Sequence, residues 1–129
     1  MKRIFVFGDS NSWGYTDEDD GHRFEKRWPI SLKTFLSEMD LDVEIIEDCL
    51  PGRTTNVDDT QDGSHLNGAK VLMSSLLAHS PIDLVIIMLG TNDLKIRFQR
   101  TPDAIAEGIK ELINIVKNTN SGTGGWHDQ

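Results

Sequence analysis

Cysteine is almost missing from this chain. Its 129 residues include one, Cys49, which excludes an internal disulfide and fits a reducing, cytoplasmic compartment. Basic residues are in deficit: 13 lysines and arginines stand against 21 aspartates and glutamates, a net charge of −8. A net anion repels nucleic acid and anionic membrane surfaces, so neither is expected as a partner. Long apolar runs are missing too, and none approaches the ~20 residues of a membrane span. The start, Met1-Lys2-Arg3 followed by Ile4-Phe5-Val6-Phe7, is too short for a secretory signal and ends in no small-residue cleavage site. No internal repeat is visible. The run Asp17-Glu18-Asp19-Asp20 lacks the spacing of cation ligands and reads as a solvated loop, so no metal is expected.

What remains is an ordinary globular composition, 37% apolar and 26% charged, long enough for one domain or part of a larger one. Arg3 to Phe7 is a nearly continuous apolar run closed by Gly8, the pattern of a buried strand. Trp28, Leu32, Phe35 and Leu36 share one helical face, with Pro29 near its start. Val43, Ile45 and Ile46 mark a second strand, less apolar and so nearer an edge. Ala69, Leu72, Met73, Leu76 and Leu77 make a second helical stripe. Leu84 to Leu89 is the most apolar strand, which predicts a central place in the sheet. Thr101 and Pro102 open a third helix, with Ile105, Ile109, Leu112, Ile113 and Val116 on its buried side.

The order β-α-β-α-β-α predicts a parallel sheet with helices packed on its faces. Three strands are few, since a typical sheet has about five or six. The chain therefore reads as an incomplete domain over residues 1–118, followed by a flexible tail over 119–129, where Asn, Thr, Ser and Gly dominate.

In open parallel sheets, ligands bind beyond the carboxyl ends of the strands. Three polar clusters stand there: Gly8-Asp9-Ser10-Asn11-Ser12 after the first strand, Pro51-Gly52-Arg53-Thr54-Thr55 after the second, and Gly90-Thr91-Asn92-Asp93 after the third. A serine on a strand-to-helix turn becomes a nucleophile when a base removes its proton. Acyl transfer then needs donors for the developing oxyanion, and the Ser10 N–H, the Gly52 N–H and the Asn92 amide are candidates. Asp9 reads as a support of the turn, with Thr91 and Asp93 supporting the third cluster. Each of these residues also has a bland reading: Ser10 as a helix N-cap, Asn92 as a turn residue.

Phe7-Gly8-Asp9-Ser10 resembles the first block of the GDSL (SGNH) hydrolases, Gly52 the second, and Gly90-Thr91-Asn92-Asp93 the third. The stretch from Gly52 to Asp59, the segment Leu66-Asn67-Gly68 and the stretch from Asp83 to Asp93 are similar to the arylesterase/acyltransferase branch. The resemblance implies a flavodoxin-like three-layer α/β/α sandwich, here with its first three β/α units. It implies a serine esterase or acyltransferase acting on small carboxylic esters, without cofactor. Ser10 is then the nucleophile, with Ser10, Gly52 and Asn92 forming the oxyanion hole.

The family's last block, Asp-x-x-His, supplies the general base after two further β/α units, and the chain ends before them. A literal Asp-x-x-His, Asp62-Gly63-Ser64-His65, falls between the second and third blocks. It offers Asp62 and His65 as a base pair, against the plainer reading of a polar loop capping the helix that begins near Asn67. His22, His79 and His127 read as surface or packing residues. Two alternatives stay open: a catalytically dead remnant lacking the triad His and Asp, and a phosphate- or flavin-binding module using the hydroxyls after the first strand. Without the strands that follow it in the family, Leu84 to Leu89 becomes a bare edge, which predicts that the chain is marginally stable or associates through that edge.

Overall fold

A computed structural model describes residues 1–18 and 21–122. Three strands, β1 (Lys2–Gly8), β2 (Val43–Cys49) and β3 (Leu84–Met88), form a parallel sheet in the order β2-β1-β3. The most apolar environment belongs to β1. Phe5, Val6 and Phe7 are fully buried, and β1 is hydrogen-bonded on both sides.

Strand alternation sends successive residues to opposite faces. Phe5 and Phe7 meet Leu72 and Leu76 of α3 (Gly68–Ala78) and Leu112 of α4 (Pro102–Asn118). Burying each such side chain contributes roughly 1.5–3 kcal/mol. The other face carries α1 (Ser10–Trp13) and α2 (Trp28–Glu38); Ile4 and Leu36 line one groove there. Helices on both faces make three layers, as the resemblance implies.

Local chemistry explains the helix ends. The Asp9 side chain accepts the Asn11 N–H to cap α1, the Asn67 side chain accepts the Ala69 N–H to cap α3, and Thr101 Oγ1 accepts the Ala104 N–H to cap α4. Ser10 is the first helical residue and not the cap.

Among the described residues β3 pairs with β1 alone, so it is the bare edge expected above. In register with Ile4, Val6 and Gly8 of β1, its residues Leu84, Ile86 and Met88 face the α1–α2 layer. That layer packs chiefly on β2, which leaves Leu84 and Met88 about half exposed, at 51% and 47%. The same exposure appears on the helices, where Phe35, Met73 and Ile113, expected on buried stripes, are exposed.

Residues 119–122, expected to begin the tail, dock on the sheet end. Ser121 is buried and its carbonyl accepts the Ile82 N–H at 2.8 Å. Residues 123–129, with His127, lie outside the described residues, as do Asp19 and Asp20 of the acidic run.

Candidate active site

Going from β1 to β2 the chain moves to one side, and β3 returns to the other side of β1. The loops after β1 and β3 therefore part at the switch point, where open α/β sheets hold their ligands. Ser10 follows β1 and Asn92 follows β3.

β1 ends at Gly8 and the chain turns at once into α1, closed by Gly14 in the left-handed region, whose N–H donates to the Ser10 carbonyl at 3.0 Å. Asp9 is buried, its carboxylate accepting the Asn11 N–H at 2.9 Å, and burial raises its pKa. It is committed to the turn. Ser10 is half-buried, and its hydroxyl has no hydrogen-bond partner among the described residues. Its amide lies in the first turn of α1, where N–H groups have no partner within the helix.

The second loop turns at Gly52, with φ +89°, a conformation that disfavours other residues. The Arg53 N–H closes the turn on the Leu50 carbonyl, and the Leu50 N–H donates to the Gly8 carbonyl, both at 3.1 Å. The Gly52 N–H has no acceptor among the described residues. The Arg53 carbonyl accepts the Asn92 side-chain amide at 3.1 Å. One amide hydrogen of Asn92 is used there, and the second has no acceptor among the described residues. Ser10, Gly52 and Asn92 thus stand on three loops linked by direct hydrogen bonds.

The supporting residues divide. Asp93 is fully buried and binds Thr55 and Arg100. Thr91 is exposed, its side chain unbonded among the described residues. Asp62 and His65 do not pair. The Asp62 carboxylate takes Arg97 Nη2 at 3.1 Å, and His65 is exposed without a hydrogen bond. The same spacing recurs from Asp19 to His22; His22 is exposed and Asp19 lies outside the described residues. His79 sits at the opposite end of the sheet, its Nδ1 2.8 Å from the Ser75 carbonyl and its ring against Phe5. No described histidine hydrogen-bonds to Ser10. Among the described residues no cluster of His, Cys, Asp and Glu fits a metal ion.

The model of the GDSL-like lipase/acylhydrolase family matches residues 6–125. Among solved structures, the chain is similar to the inhibitor-bound aryl esterase of M. smegmatis, at 44% identity and a TM-score of 0.80 over 96% of this chain and 58% of that one. It is also similar to a carbohydrate acetylesterase from Sinorhizobium meliloti, at 40% identity and a TM-score of 0.85 over the same shares. The chain spans about 58% of the length of these relatives. No curated protein matches it.

Proposed function

Because the chain belongs to the GDSL-like lipase/acylhydrolase family, we propose that it carries the nucleophile and the oxyanion hole of a serine esterase acting on small carboxylic esters. Ser10 Oγ adds to the ester carbonyl carbon as a base takes its proton, and the carbonyl oxygen becomes an oxyanion. The Ser10 and Gly52 N–H groups and the free amide hydrogen of Asn92 stabilise that charge. The carbon–oxygen bond to the leaving group then breaks, the alcohol departs with a proton, and water releases the acid from the acyl-Ser10 ester. An alcohol in place of water gives acyl transfer. The observation that carries this reading is the Asn92 amide bound to the Arg53 carbonyl, which couples the second loop to the third. The relatives are an aryl esterase and a carbohydrate acetylesterase, so aryl and acetyl esters are the substrates to try first.

A second reading is favoured by one fact: no described histidine reaches Ser10. On this reading the chain is a catalytically silent remnant with the oxyanion architecture alone, because an unactivated serine is a weak nucleophile. Hydrolysis of p-nitrophenyl acetate by this chain and by Ser10→Ala separates the two. A rate abolished by the substitution supports the esterase. Equal, near-background rates support the remnant.

We also place the chain in a reducing compartment, where Cys49 stays a thiol. Burial pushes its pKa to about 11, so it is inert as a nucleophile. Copies associate through the uncovered edge of β3.

A further inference from the structure

Arg53 is a charge buried among the three loops, 5% exposed. Its guanidinium lies 4.1 Å over the Phe7 ring. Nη1 donates to the Asp48 carbonyl at 2.7 Å and to the Gly8 carbonyl at 3.4 Å. Nη2 donates to the Asp48 carboxylate at 3.0 Å, whose other oxygen takes the Ser75 hydroxyl of α3. The side chain therefore ties the ends of β1 and β2 and, through Asp48, α3. The same residue follows Gly52, and its carbonyl holds Asn92.

Stability alone is a weak account of an arginine here. Burying an ion pair strips hydration from both charges, a cost that a well-packed apolar side chain does not carry, and replacing such pairs is often neutral or stabilising. Arg53 also carries an uncompensated cost. Its Nε is the one buried side-chain polar atom without a hydrogen-bond partner among the described residues. What an apolar residue of the same volume lacks is the planar fork, which meets several acceptors in one fixed geometry.

We infer that Arg53 is a positioning residue for the oxyanion hole. Its guanidinium fixes the Gly52–Arg53 segment against the ends of β1 and β2, and the peptides on either side carry the Gly52 N–H and the Arg53 carbonyl that holds the Asn92 amide, so both are set relative to Ser10. The inference rests on the reading of Ser10, Gly52 and Asn92 given above. Its physical basis is that donors stabilise an oxyanion only when held within hydrogen-bond distance of where the charge develops, and a supporting group placed about 1 Å too loosely forfeits much of the effect.

The test uses the full chain and methylphosphonate, a tetrahedral oxyanion whose binding needs no base. It is titrated into ¹⁵N-labelled protein while the Ser10 and Gly52 amides and the Asn92 side-chain amide are followed. Wild type is expected to bind with all three moving. Arg53→Lys keeps the charge but not the fork. It is expected to melt cooperatively, to shift the Asn92 amide pair in the free protein, and to bind about tenfold more weakly, the scale of one charge-assisted hydrogen bond. Wild-type affinity with an unmoved Asn92 pair in Arg53→Lys overturns the inference while leaving the oxyanion reading intact. Absence of any shift at the three groups in wild type overturns that reading, and the role of Arg53 with it. If Arg53→Lys does not melt cooperatively, Ser75→Ala takes its place, since it releases the carboxylate that Nη2 holds. A weaker affinity of the same kind supports the inference, and an unchanged one overturns it.

Discussion

Asp93 accepts both the backbone N–H of Thr55, at 3.0 Å, and its hydroxyl, at 2.6 Å. Both residues are fully buried, and Arg100 Nη1 completes the cluster at 2.7 Å from the Asp93 carboxylate. The loop after β3 is thereby clamped to the loop after β2 immediately beside Asn92. Arg100 extends the clamp to α4 through the Ala104 carbonyl and to Asn56, whose amide reaches Glu111.

Removing the carboxylate exposes what it compensates. Asp93→Ala leaves the Arg100 charge and the Thr55 N–H without their partner. It is expected to lower unfolding free energy by about 3–5 kcal/mol, the range for breaking a buried pair. Thr55→Val, which deletes one hydroxyl, costs about 1–3 kcal/mol. Urea denaturation measures both, and a loss under about 1 kcal/mol for Asp93→Ala contradicts the clamp.

α4 approaches this cluster at Gly108. A methyl group there would lie 2.1 Å from Thr55 Oγ1 and 2.7 Å from Asn56 Oδ1. Alanine normally favours a helix interior by about 1 kcal/mol over glycine. Because the Thr55 hydroxyl is held by Asp93 and Arg100, the overlap dominates, and Gly108→Ala is expected to cost about 1–3 kcal/mol net. A raised denaturation midpoint would show that the cluster yields.

Asp59 is buried against Arg97 Nη2 at 2.6 Å, and that hydrogen bond holds its pKa down to about 2 from 3.8. A carboxyl depressed in the folded state stabilises it above the unfolded pKa and ceases to as pH falls through the folded value. Arg97→Gln is therefore expected to melt below wild type at pH 5 and above. The gap should close as pH falls from about 4 to about 2. Melting temperatures across that range check it, and a gap independent of pH excludes the ion pair as its source.

Among the described residues the outer side of β3 pairs with no strand, which leaves unpaired backbone groups beside the half-exposed Leu84 and Met88. Such an edge invites pairing with another chain. Sedimentation velocity is expected to show a mass that rises with concentration. The double variant Leu84→Lys, Met88→Lys should return it to the monomer, because charged side chains blunt an edge. Concentration-independent monomer in wild type removes this proposal.

The three β/α units were legible because hydrophobic period and capping chemistry are local. Thr101 before Pro102 announced the start of α4, Asn67 lay where α3 begins, and the run into Gly8 announced β1. The three loops were legible because chain order puts Gly8, Gly52 and Gly90 after successive strands, and parallel strands present those ends together. The clamp left no comparable trace. Asp93 and Thr55 are 38 residues apart, and Arg100 reads as one more surface charge until its partners are seen. Arg53 likewise reads as a residue ordering its loop, with nothing in its neighbours to announce Phe7 beneath it.

Sequence by itself determined the layers and the family, since both follow from patterns that each segment carries alone. Tertiary structure decided how exposed β3 is, because exposure depends on what packs on a strand, and α1 and α2 lie chiefly on β2 and leave Leu84 and Met88 half exposed. It decided that Asp62 belongs to Arg97 and leaves His65 unpaired, because spacing along a chain sets no distance in space once a loop folds against its neighbours. It also decided which charges are buried: burial is a property of the surrounding elements, and only their packing turns Asp93, Arg100 and Arg53 from solvated side chains into the joints between the loops.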